Sequence, residues 1–285
     1  MAEKNKVIVS GSFDNLVSRH VRFLEEASKA GDLHVLLWSD EEARRLNGEL
    51  PRFPEEERFY LIQAIRYVSD VRLVAAQAER DALPQTGQMQ AAIWAVDESC
   101  NTPAKRAFCS SHDMEYRVFA DDELRGFGVA GIQNVGVDGE TTRNAAPTAR
   151  RRVLVTGCFD WLHSGHVRLF EAVSQLGDLY VVVGHDANVR LLKGAPHPLF
   201  SQDERRYMVQ AIRYVKQALI SSGHGWLDAE PEIVAINPDM YVVNEDGDVP
   251  EKREFCQGHG IEYVVLSRKP KPGLPGRRST LLRGF

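Results

Sequence analysis

The chain repeats itself. "EERFYLIQAIRYV" (Glu56 to Val68) returns as "DERRYMVQAIRYV" (Asp203 to Val215), a displacement of 203 − 56 = 147 residues. "PAKRAFCSSHDMEYRV" (Pro103 to Val118) returns as "PEKREFCQGHGIEYVV" (Pro250 to Val265) at the same displacement. A related loop opens each copy, "GSFDNLVSRH" (Gly11 to His20) and "GCFDWLHSGH" (Gly157 to His166), at 157 − 11 = 146. Three blocks in one order at a near-constant displacement mean duplication, so the chain must fold as two like units. Between them "GFGVAGIQNVGVDGETTRNAAPTARR" (Gly126 to Arg152) has little periodicity and reads as a linker. The expected division is a first unit over 1–125, a linker over 126–150 and a second unit over 151–285.

Each copy alternates strand and helix. In the second, "RVLVTG" (Arg152 to Gly157) is a β-branched run ending in glycine, the pattern of a buried parallel strand. Leu169, Phe170, Val173 and Leu176 then mark an apolar helix face, closed by Gly177. "LYVVVG", "MYVVN" and "EYVVL" supply further strands, and Ser201 with Glu204 has capping-box spacing for a helix from Gln202. This alternation predicts an α/β fold, a parallel sheet flanked by helices in each half, with a ligand at the strand carboxyl ends.

Composition narrows the function classes. A hydrophobic share of 43% is enough for a full core, and a net charge of −5 gives no global basic field for nucleic acid. No run approaches the roughly 20 apolar residues of a membrane span, and the start of the chain lacks a signal-peptide pattern. The cysteines Cys100, Cys109, Cys158 and Cys256 include no C-x-x-C pair. A cytoplasmic enzyme or small-molecule binder is the expectation.

The second loop carries the chemistry. His163 and His166, three residues apart at a helix start, can face one side. Gly165 between them clears space for a phosphate near free amides and the positive helix end. Two imidazoles over a phosphate chain suit a reaction that builds negative charge on phosphorus.

Together with "KGAPHPLFSQDERRYMVQAIRYV" (Lys193 to Val215), Trp226 and "SRKPKPGLPGRRST" (Ser267 to Thr280), residues 151–285 resemble the H-x-G-H nucleotidyltransferases. Within them they look most like the cytidylyltransferases that act on ethanolamine phosphate and glycerol 3-phosphate; the first half resembles them more weakly. The resemblance implies two tandem Rossmann-like domains of the HUP type. It implies that CTP and a phospho-alcohol give a CDP-alcohol and pyrophosphate by in-line attack on the α-phosphate, toward phospholipid or cell-envelope precursors. On that likeness His163 and His166 stabilise the pentavalent phosphate, with Lys193 and Arg268 as further phosphate contacts. Cys158, Phe159 and Gly165 offer backbone contacts to the nucleotide, Arg205 lies near it, and Ser279 and Thr280 bind the triphosphate. Asp160 and Trp226 join Lys193 on the acceptor side. Mg²⁺ would be held mainly by the nucleotide phosphates, with no ligand set of the protein's own.

Some residues keep a second reading. Lys193 alone could be an ordinary loop lysine, Arg205 has a counterpart in Arg58, and Trp226 fits packing as well as contact. Asn244-Glu245-Asp246 stands where the family has Gly-Asp-Asp, so Glu245 and Asp246 take the base-contacting place and leave CTP in question. The final basic stretch is longer than the family's, with Leu281 at its last threonine. An adenylyltransferase using ATP and a sugar phosphate or similar acceptor is the nearest alternative, and a non-catalytic nucleotide sensor a further one. In the first copy Val17 and Arg19 replace His163 and Gly165, and Asn47 falls at or beside the place of Lys193, so that copy is expected not to catalyse. Because single-domain relatives are commonly homodimers, the likeness implies an intramolecular pseudo-dimer, with further oligomerisation open.

Overall fold

A computed structural model describes residues 5–75, 81, 83, 93–128 and 150–282, apart from the side chains of Thr280 and Leu281. The chain divides into two compact units, Met1–Gly128 and Val129–Phe285. Most of the expected linker, 129–149, lies outside the described residues.

The first unit runs β1 (Lys6–Gly11), α1 (Ser18–Ser28), β2 (Asp32–Trp38), α2 (Asp40–Asn47), α3 (Glu55–Gln63), β3 (Asp70–Val74), β4 (Ile93–Asp97), α4 (Pro103–Ser111) and β5 (Glu115–Phe119). The second runs β6 (Arg152–Gly157), α5 (Ser164–Ser174), β7 (Asp178–Val183), α6 (Asp186–Lys193), α7 (Gln202–Gln210) and β8 (Val215–Ile220). It continues through α8 (Glu230–Ile236), β9 (Met240–Asn244), α9 (Pro250–His259), β10 (Glu262–Leu266) and the short α10 (Ser279–Leu282). Each unit holds a five-stranded parallel sheet, ordered β3-β2-β1-β4-β5 and β10-β9-β6-β7-β8. Strand order therefore reverses between β6 and β9, and the crevice outside their carboxyl ends is where such sheets bind ligands.

The central strands are buried on both faces, which explains their unbroken Val and Leu runs. Val153, Leu154, Val155, Val181, Val182 and Val183 are all essentially inaccessible. Leu154, Val182, Tyr241 and Val243 pack against Ile233 and Ile236 of α8 and Cys256 of α9. Burying each such side chain contributes about 1.5–3 kcal/mol. On α5 the buried face is Val167, Phe170 and Val173. Leu169 is only half-buried and Leu176 falls beyond the helix, exposed. Gly177 does not cap α5: a Cβ there would lie 2.2 Å from the Arg151 carbonyl oxygen, as one at Gly31 would lie 2.0 Å from that of Asn5. The glycine is demanded by a backbone crossing that both units share.

One buried arginine ties the strand ends in each unit. Arg205 donates to the carbonyls of Phe200 (3.0 Å), Cys158 (2.6 Å) and Gly184 (2.7 Å) and to Asp186 Oδ1 (2.7 Å). Arg58 donates to the carbonyls of Phe53 (2.9 Å), Ser12 (2.7 Å) and Trp38 (2.9 Å) and to Asp40 Oδ1 (2.7 Å). A carboxylate assists in each: Asp160 Oδ1 accepts from the Leu199 and Phe200 amides, and Asp14 from those of Arg52 and Phe53.

Removing either guanidinium strands several buried carbonyls, a loss of about 3–5 kcal/mol by the measure of broken buried ion pairs. Arg58→Ala, in the unit without the histidine pair, is expected to destabilise that unit as much as Arg205→Ala destabilises the other. Urea unfolding of the full chain checks this, and a loss below about 1 kcal/mol for Arg58→Ala would remove the arginine from the scaffold.

Candidate active site

The loop after β6 leads directly into α5, so its residues stand at the reversal of strand order. His163 is the N-cap of α5: its Nδ1 accepts the Gly165 amide proton at 3.1 Å. A neutral imidazole that accepts at Nδ1 carries its proton on Nε2. That Nε2 is buried without a hydrogen-bond partner, as is Nδ1 of His166. The two rings stack, with centroids 3.9 Å apart and planes 19° from parallel. Phe159 supports them from below, its ring edge-on to His166 at 5.2 Å.

Burial keeps both imidazoles neutral. It is the main cause that brings His163 down to about 3, with Arg268 and Arg277 adding repulsion. His166 is lowered well below its ordinary value, first by burial and then by repulsion from its surroundings, Arg268 and Lys193 among them. Orphaned buried nitrogens cost about 1–3 kcal/mol each, and such costs collect where a ligand is to be met.

Gly165 serves the histidine before any phosphate. A Cβ there would come within 2.9 Å of Cε1 of His163, so the stacked pair needs glycine at this position. The space for a nucleotide opens beside it. A cleft of about 410 Å³ is lined by Gly165, Arg168, Leu169 and Ala172 from α5, by Asn244 and Leu266 from the strand ends, and by Ser267–Pro270 and Gly276–Arg278. A smaller cavity of about 140 Å³ shares Gly165, Leu169, Asn244 and Arg268 with it and reaches His166, Thr156 and Val242. The strand-end crevice is thus walled by a basic strap, residues 267–278. Lys271 fastens the strap to Glu171 at 3.0 Å, and Arg268 donates to the Arg277 carbonyl at 2.9 Å.

Several residues expected at the nucleotide have other partners. Arg205 is scaffold, its guanidinium committed to carbonyls and Asp186, and Arg58 repeats the arrangement where no histidine pair exists. The Cys158 carbonyl is taken by Arg205, and burial pushes its thiol up. Asp160 is 4% exposed and holds the 199–200 loop, so it is not presented to an acceptor. Asp246, which lines the smaller cavity, pairs with Arg268, and Glu245 accepts from the Arg268 amide at 3.4 Å. Phe159 is buried packing beneath His166.

Lys193 ends α6, is exposed, and lies close enough for its charge to act on both His166 and Cys158. Ser279 starts α10 and its hydroxyl donates to the Trp161 carbonyl at 3.4 Å; the Thr280 side chain lies outside the described residues. Trp226 is 50% exposed. Arg277, which faces His163, carried no sequence signal beyond membership of a basic run.

The first copy differs at the equivalent point. Arg19 stands in the place of Gly165 (165 − 19 = 146) and Asp121 in the place of Arg268 (268 − 121 = 147). These two side chains form an ion pair with each other. A cation with its own counter-ion thus stands at the glycine's place, and a carboxylate at that of the strap arginine. His20 Nδ1 accepts from the Val17 amide at 3.3 Å, a helix-start role.

A profile of the family described as cytidylyltransferase-like matches residues 8–127 and 154–272, hence both units. An FAD synthase of Thermococcus kodakarensis is 36% identical over 122 residues, covering 40% of this chain and 77% of that protein. The bifunctional protein HldE of Trichlorobacter lovleyi is 34% identical over 116 residues, 40% of this chain and 23% of that one. A lipopolysaccharide core biosynthesis protein from Thermoplasma volcanium, of known structure, shares 25% identity over 42% of this chain and 99% of its own, with a TM-score of 0.37.

The buried neutral histidines make stability depend on pH with a definite sign. Unfolded histidine titrates near 6.5, and both folded values are lower, so the unfolded chain binds more protons in between. The stability they hold is complete above about pH 6.5 and is lost as pH falls toward about 3, at most about 1.4 kcal/mol per pH unit for each residue. Urea unfolding between pH 4 and 8 is expected to show a shallower slope for His163→Asn than for the parent; equal slopes would contradict the buried neutral state.

Proposed function

The chain belongs to the cytidylyltransferase-like family, and from that premise we propose that its second half joins AMP from ATP to a phosphorylated acceptor, flavin mononucleotide foremost, releasing pyrophosphate. It is a nucleotidyltransferase, and the observation that carries the site assignment is the stacked neutral pair His163–His166 at the strand-order reversal. The choice of ATP and a flavin rests on the relatives named FAD synthase, since FAD is FMN extended by AMP. CTP with a phospho-alcohol is the competing reading, favoured by the family's description alone.

In this reading an acceptor phosphate oxygen attacks the α-phosphorus, a new P–O bond forms, and the bond to the β-phosphate breaks in line with it. The acceptor brings its own anionic nucleophile, so the protein needs none. Its task is alignment and neutralisation of charge. In this reading His163 Nε2, which is buried without a partner in the protein, would donate a hydrogen bond to an oxygen of the crowded phosphorus. Arg268, Lys193 and the strap would balance the triphosphate and the leaving pyrophosphate. Because the imidazoles are uncharged before substrate arrives, they add hydrogen-bond donation without holding the polyphosphate too tightly. Mg²⁺ would be carried mainly on the nucleotide's phosphate oxygens, as its hydration chemistry favours. Bound there, the ion would offset negative charge on the phosphates.

Pyrophosphate release with ATP or CTP against FMN, glycerol 3-phosphate, phosphoethanolamine, phosphocholine and sugar phosphates tests the reading. ATP with FMN is expected to give the highest kcat/KM, and a CTP-dependent phospho-alcohol product would replace it by the rival. His163→Ala with an intact first half is expected to lose at least about 10²–10³ in turnover, the usual loss of one oxyanion donor. Retained turnover would show that the first copy catalyses.

A further inference from the structure

We infer that Lys271 is a positioning residue for the nucleotide: through its ion pair with Glu171 it holds the turn of the basic strap down on α5 and so sets the height of the cleft. The inference rests on the reading of that cleft as the nucleotide's place, and it adds a residue that stands outside the cleft lining.

The strap is made a stiff loop by its own sequence. Lys271-Pro272-Gly273-Leu274 has the composition of a type II turn, with proline second and glycine third. The Leu274 amide donates to the Lys271 carbonyl at 2.9 Å, and Gly273 has a φ of 85°, a conformation that glycine adopts readily. Pro270 and Pro275 restrict the backbone on either side. One limb runs out over 267–270 and the other returns over 276–278, and both line the cleft. Arg268 braces the limbs by donating to the Arg277 carbonyl at 2.9 Å.

Two contacts set this loop on α5. The returning limb meets the start of the helix, where a Cβ at Gly165 would lie 3.6 Å from the Arg277 carbonyl oxygen. The turn meets the helix 171 − 165 = 6 residues further on, where Lys271 Nζ donates to Glu171 Oε1 at 3.0 Å. Six residues of helix span about 9 Å. Arg168 and Leu169, which line the cleft from α5, lie between these two supports. The first support is set by backbone, the second by one pair of side chains. Glu171 gives its other oxygen to Arg168 at 3.0 Å, so the carboxylate that receives Lys271 is already held in place.

The first copy separates the lysine from the carboxylate. Glu25 stands in the place of Glu171 (171 − 25 = 146), pairs with Arg22 at 2.9 Å and accepts from the Tyr67 hydroxyl. The carboxylate thus serves the fold even where there is no histidine pair. Lys271 is not repeated: Leu124 stands in its place (271 − 124 = 147) and is 3% exposed. In the copy without the histidine pair this segment is fixed by a buried apolar side chain, and in the copy with it by a lysine at the surface.

A simple field effect makes the opposite prediction for one variant. If Lys271 acted only as positive charge drawing in a polyphosphate, removing the charge of Glu171 would tighten nucleotide binding. A tether predicts that losing either partner frees the turn and weakens binding. The side chains of Lys271 and Glu171 are 36% and 20% exposed, which limits the effect to that of a surface ion pair.

Calorimetric titration of the full chain with ATP and with CTP provides the test. Lys271→Met and Glu171→Gln are each expected to weaken binding of the nucleotide the parent prefers about three- to fivefold. The double variant is expected to lose no more than either single one, and Lys271→Arg to restore the parent's affinity. The KM for FMN at saturating nucleotide is expected to move less than about twofold. Tighter binding in Glu171→Gln, additive losses in the double variant or unchanged affinity in Lys271→Met would each overturn the inference. Urea unfolding of Lys271→Met is expected to match the parent, and a marked fall in its midpoint would assign the lysine to the scaffold instead. Preference of the parent for CTP would remove the AMP-transfer reading and leave the tether standing. Preference for ATP with unchanged affinity in Lys271→Met would remove the tether alone.

Discussion

Each unit depends on a guanidinium buried where two strands end. In a parallel sheet the carbonyls at the strand tips have no further ladder to join, and the loops that leave there must still carry chemistry. Arg205 resolves this by taking the Cys158, Gly184 and Phe200 carbonyls at once, with Asp186 supplying the counter-charge. The tips of β6 and β7, the start of α6 and the loop before α7 are thereby fixed to one planar group. The histidine loop leaves from the tip of β6 and α6 from that of β7, whereas the basic strap follows β10. The same device in Arg58 keeps the first unit folded although it has no histidine pair.

The contrast between the copies shows how closely the active loop is determined. His163 and Gly165 are not independent choices, because a side chain at 165 would collide with the ring of His163 in its capping position. Once Arg19 is present, the first copy cannot hold a stacked pair, and Val17 loses nothing further by being apolar. Arg19 then needs a partner, and Asp121 supplies it in the place of the strap arginine. What reads in the sequence as separate changes is in three dimensions one exchange: Gly165 and Arg268 of one copy answer to an ion pair, Arg19 with Asp121, in the other.

The duplication, the strand–helix alternation and the H-x-G-H loop were legible because each is a local or periodic signal. The strand order and the reversal at β6 and β9 were not, because the same alternation is compatible with more than one order of a parallel sheet. Partners were harder to read. Arg205, Asp160 and Asp246 have the residue types of a nucleotide site, and only coordinates reveal that their hydrogen bonds end inside the protein. Gly177 looked like a helix stop because glycine commonly ends helices, yet its reason is a carbonyl 2.2 Å from the missing Cβ, contributed by Arg151 before β6. Leu176 fitted a helical period that the helix does not live to complete. Signals that depend on distant chain segments are invisible to spacing.

The pattern of charge gives the site its direction. The strap side holds Arg268, Lys269, Arg277 and Arg278 around the cleft, whereas the α6 side offers Lys193 among apolar side chains. A ligand with several negative charges suits the first side better than the second. Between them sit two imidazoles that burial keeps uncharged, able to donate a hydrogen bond without adding a fixed charge to either side.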